Sequence, residues 1–92
     1  MSLVVGTVQV QIVSAGAAPR ALVVEEPSLL GVLLGAERSE WYAFAAPAPS
    51  GGVDWYRDSR DERPKRVVAR RVLDALEREL AGAAKERVSA IP

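Results

Sequence analysis

Alternation of apolar and polar positions dominates the first half of the chain. From Val4 to Ile12 the even positions, Val4, Gly6, Val8, Val10 and Ile12, are apolar or small, and Thr7, Gln9 and Gln11 lie between them. A period of two is the signature of a strand with one buried face. The small residues of SAGAAP (14–19) make a turn, and ALVVEE (21–26) is rich enough in branched residues to return as the second strand of a hairpin, stopped by Pro27 and Ser28. The next stretch, LLGVLLG (29–35), is apolar throughout. It fits either a strand buried on both faces or a helix of one and a half turns capped by Ser28 and ended by Gly35; because Gly31 weakens so short a helix, the strand is preferred. A polar turn over 37–39 leads into EWYAFAA (40–46), with Tyr42 and Phe44 on one face of a strand and Trp41, Ala43 and Ala45 on the other. PAPSGG (47–52) is a loop, and VDWYRD (53–58) makes a fifth short strand at an edge, where Asp54 and Arg57 are the kind of charges that protect edges.

Beyond this point the period changes. Pro64 is favoured at a first helical position and pushes Arg63 out of helical backbone space, so a helix is expected over 64–87. At 100° per residue Val68, Ala69, Val72, Leu73, Leu76, Leu80, Ala83 and Ala84 fall within an arc of about 160°, one wide buried face. Asp74 precedes Arg78 by four residues in the favourable orientation, whereas Gly82 weakens the end by about 1 kcal/mol before Lys85. The pattern predicts a single two-layer α+β domain over residues 1–92. Its first 58 residues form an antiparallel sheet of four to five strands, and one long C-terminal helix packs on one face.

Composition narrows the chemistry. The 92 residues are 49% apolar and 26% charged, enough for one core. The longest apolar run, Leu29 to Ala36, falls far short of the roughly 20 residues a bilayer span needs, and the start lacks a basic leader, so no membrane association and a cytoplasmic setting are expected. There is neither cysteine nor histidine, which excludes disulfides, thiolate metal sites and the commonest general base. The serines therefore have no histidine to activate them, and the glycines match no phosphate-binding loop. No cofactor, no metal and no catalytic residue are expected. Adjacent acids at Glu25–Glu26 and Asp61–Glu62 leave a carboxylate- or magnesium-dependent enzyme as the weakest alternative.

Net charge is zero but uneven. Residues 1–54 hold two arginines against five acids, a net of −3, and residues 55–92 hold ten bases against seven acids, a net of +3. Arg57, Arg60, Arg63, Lys65, Arg66, Arg70 and Arg71 crowd the expected helix start, where cations oppose the macrodipole unless an anion sits among them. They are candidates for an anion or nucleic-acid site; against this, Asp58, Asp61 and Glu62 already supply counter-charges to a solvated segment. Glu40-Trp41-Tyr42 and Asp54-Trp55-Tyr56 contain both tryptophans and both tyrosines, so Trp41, Tyr42, Trp55 and Tyr56 are candidate aromatic contacts or simply core. Finally, one helix cannot cover both faces of an apolar strand at 29–35, and the surplus points to a homodimer. The leading expectation is a non-catalytic, self-associating interaction module that recognises a protein partner. Nucleic-acid binding through the basic 57–71 segment is the alternative.

Overall fold

The computed structural model describes residues 6–89, with side chains as far as Ala84. Five strands, β1 (Thr7–Ser14), β2 (Arg20–Glu26), β3 (Ser39–Pro47), β4 (Val53–Arg57) and β5 (Lys65–Arg66), form one antiparallel sheet in chain order. A short helix, α1 (Leu29–Leu33), sits in the β2–β3 connection, and α2 (Arg70–Ser89) follows the sheet. This is the expected α+β architecture. The expected start of β1 at Val4 lies outside the described residues.

Register explains the core. Val10 pairs with Val23 and Val23 with Trp41; Ile12 pairs with Ala21 and Ala21 with Ala43; Ala45 pairs with Trp55. All of these side chains therefore share one face, as period-two alternation requires. Ala21, Ala43 and Ala45 leave room above the sheet, which the two indoles, Val67 and the α2 residues Val72 and Leu76 fill. Trp55, Leu76 and Val23 are the largest fully buried side chains among the described residues. Val8, Val10, Ile12, Leu73 and Leu80 pack partly buried against this cluster, so α2 lies over the β1 side of the sheet.

The segment at 29–35 is a helix and not a strand. Because β2 and β3 pair directly, up to Glu25 with Ser39, the residues between them have no vacant place in the sheet. The Ser28 Oγ accepts from the Gly31 N–H at 3.0 Å, and Gly35 ends the turn at φ +94° while Ala36 N donates to Gly31 O at 2.8 Å. Both helical signals at its ends outweigh the penalty of one internal glycine.

The long helix begins at Arg70, six residues after Pro64. Residues 65–67 belong to the sheet instead: Lys65 and Arg66 pair with Arg57 and Tyr56, and Val67 N donates to Trp55 O at 2.8 Å. Burying Val67 in the core is gained only if this stretch stays extended. Val68, expected on the buried arc, is consequently 76% exposed, and Ala69 and Ala84 are exposed as well. The rest of the arc holds, with Val72 and Leu76 buried and Leu73, Leu80 and Ala83 partly so. α2 also continues unbroken through Gly82 to Ser89. β4 is not an edge, since β5 pairs outside it.

Candidate functional site

The seven bases do not converge. Arg57 and Arg60 line a cleft of about 320 Å³ with Glu40, Trp41, Tyr42, Asp58 and Ser59. The Arg57 guanidinium lies 5.1 Å from the Trp41 ring centroid, a cation–π contact. Arg57 and Lys65, opposite each other in register, face a second cleft with Ser59, Asp61 and Glu62, and Lys65 Nζ lies 3.2 Å from Glu62. Arg66 alternates to the other face of the sheet and reaches Asp54 at 3.5 Å. Arg63 and Arg70 are exposed and line neither cleft. Arg71 lies at the opposite edge, donating to the Gly6 carbonyl. With α2 beginning at Arg70, only Arg70 and Arg71 remain at its first turn, where no acid accompanies them.

The Trp-Tyr pairs separate by alternation. Trp55 is 1% exposed and sealed in the core, where its Nε1 has no hydrogen-bond partner among the described residues. Trp41 is buried too, but its Nε1 donates to Glu25 Oε2 at 2.9 Å. Tyr42 and Tyr56 point to the other face, Tyr42 half-exposed and Tyr56 stacked on Phe44 with ring centroids 5.5 Å apart. The basic clefts and the accessible aromatic face thus meet only around Tyr42.

Of the adjacent acids, Glu25, Glu26 and Glu62 are engaged elsewhere. Glu25 accepts from Trp41 and, at 3.4 Å, from Ser39; Glu26 and Glu40 each lie 2.8 Å from Arg38; Glu62 meets Lys65. The two carboxylates, Glu40 foremost, raise the Arg38 pKa above its ordinary value. Among the described residues no group of three or more acids is placed to hold a metal ion.

The most unusual surface is α1. Leu29, Leu30, Val32, Leu33 and Leu34 are 39–79% exposed, and the helix has no buried residue. Glu25, Glu26, Glu37 and Glu40 flank α1 in the chain, with Arg38 as the single base of residues 25–40. The apolar surplus at 29–35 is legible in the sequence, but its projection from the hairpin end is not; Ser28 and Gly35, read together as caps, were the available signal. Among the described residues no helix is long and apolar enough to cross a membrane. Compared with family models, curated proteins and solved structures, the chain matches none.

Proposed function

We propose that this chain is a non-catalytic interaction module that self-associates and docks a protein partner through α1. One observation carries this: five large apolar side chains stand together in water on a turn fixed by the Ser28 cap. A contiguous apolar patch of this kind is costly to leave exposed and marks an interaction surface. The residues that flank α1 in the chain, four glutamates against one arginine, give it a negative rim in this reading, which selects an apolar groove bordered by basic side chains on another protein. The same negative rim disfavours an anionic bilayer.

Nucleic-acid binding has less support. Trp55 offers no accessible face, the Trp41 ring is taken by Arg57, and Lys65 and Arg66 each meet an acid. The discriminating experiment places a photo-crosslinking amino acid at Leu33, with Ser50 as a control on a distant exposed loop. One discrete protein adduct at position 33 that is missing at 50 is expected. Identical patterns at both positions, or tight salt-sensitive binding of a labelled oligonucleotide instead, would overturn the assignment.

A further inference from the structure

We propose that two copies of the chain pair antiparallel along β1, about a two-fold axis through Val10, so that their sheets join into one. This names the surface used in the self-association proposed above and rests on it. The two edges of the sheet are treated very differently by the sequence. β5 exposes only Lys65 and Arg66, follows Pro64 directly, and is thus short, charged and blunted. β1 is eight residues long, TVQVQIVS, without a charge or a proline. Among the strands of the described residues it alone has no charge, since β2, β3 and β4 contain Arg20, Glu25, Glu26, Glu40, Asp54 and Arg57 and β5 is Lys65–Arg66.

The hydrogen-bond phase leaves that edge ready. Ala45 N donates to Pro19 O, so the odd-numbered peptide groups of β2 face β3 and the even ones face β1. Leu22 and Val24 pair with Gln11 and Gln9, which turns the odd peptide groups of β1 inward and those of Val8, Val10 and Ile12 outward. A second β1 brought up antiparallel can bond all three. The strand is self-complementary in this register. Val10 faces the partner's Val10, Val8 faces the partner's Ile12, and Gln9 faces the partner's Gln11, amide to amide on the opposite face. A residue pairing i with j and j with i is what an isologous two-fold contact requires.

Packing on the inner face agrees. Val8, Val10, Ile12, Leu73 and Leu80 are only partly buried, and they form the margin of the core next to this edge. A second copy would set the same apolar margin alongside, under its own α2.

Sedimentation velocity on the full chain from 1 to 200 µM tests the pairing, with circular dichroism as the folding control. The exposed Gln9 and Gln11 are the positions to alter, because neither contributes to the core. Wild type should dimerise, and Gln9→Lys/Gln11→Lys, which sets lysine against lysine twice, should weaken the dimer about tenfold or more. Gln9→Glu/Gln11→Lys places opposite charges in contact in the same register and should restore it. A strictly monomeric wild type would sink both self-association and the β1 pairing. A wild-type dimer indifferent to the lysine pair, or a charge-swapped variant no better than the double lysine, would sink the β1 pairing alone.

Discussion

Trp55 and Trp41 stand on the same face of the sheet, both in the core, and differ in what the indole N–H and ring face meet, so the same substitution in each should give different results. Replacing Trp55 by phenylalanine removes part of a ring that is 1% exposed and leaves a gap costing about 1–2 kcal/mol. It also removes an Nε1–H that is buried without a partner among the described residues, a liability of about 1–3 kcal/mol. The two terms oppose, and Trp55→Phe should fall within about 1 kcal/mol of wild type. At Trp41 the terms add. The gap is similar, the Nε1 bond to the Glu25 carboxylate is lost, and the Arg57 guanidinium rests on a weaker π face. A bond to a charged group contributes about 1.5–3 kcal/mol, and partial exposure of Glu25 lowers that figure, so Trp41→Phe should cost about 2–4 kcal/mol in all. Urea unfolding at one protein concentration, followed by circular dichroism and extrapolated linearly, resolves such differences. If Trp55→Phe proves as destabilising as Trp41→Phe, the orphan N–H carries no penalty and the reasoning fails.

Three further outcomes follow from local geometry. Gly6→Ala should destabilise the fold by about 1–3 kcal/mol in the same urea assay, because an added Cβ runs into the Glu26 carbonyl and the β1 start must move. Leu33→Ser/Leu34→Ser, both 75% exposed or more, should leave stability within about 0.5 kcal/mol of wild type while lowering the fluorescence of a bound apolar dye. Asp58→Asn, which breaks the 3.1 Å pair with Arg20 between two exposed side chains, should cost less than about 1 kcal/mol and lose even that in 1 M salt.

Much of the sheet was legible because alternation is a local property. The strands expected at 21–26, 40–46 and 53–58 appear as Arg20–Glu26, Ser39–Pro47 and Val53–Arg57, and Trp41, Ala43 and Ala45 do share the buried face. Two errors came from features that depend on distant partners. LLGVLLG has no period to distinguish a buried strand from an exposed turn, and only the direct pairing of β2 with β3 decides it. Pro64 reads equally as a helix start and as the lead into an edge strand, and Val67 settles the matter by bonding to Trp55 on β4. The basic cluster scattered for the same reason. Spacing along a presumed helix placed Arg57 to Arg71 around one helix end, whereas strand alternation sends Lys65 and Arg66 to opposite faces of the sheet.

The distribution of apolar side chains gives the last and most general expectation. Nearly half the chain is apolar, yet four of the buried core residues among those described are alanines, while Leu29, Leu33, Leu34 and Val68 stand in solvent. A domain of this size with so lean a core is marginal by itself. Any contact that exists only between folded copies then adds stability by mass action. For a dimer unfolding to two chains, a hundredfold rise in concentration adds about 2.7 kcal/mol per dimer, half of that per chain. In a chain of about 90 residues this raises the melting temperature on the order of 5 °C. Calorimetry at 2 and 200 µM should show that rise for wild type and little of it for Gln9→Lys/Gln11→Lys. An equal melting temperature at both concentrations for wild type would mean that the indoles, the alanines and one α2 face suffice, and that the half-covered margin of β1 adds nothing by meeting its copy.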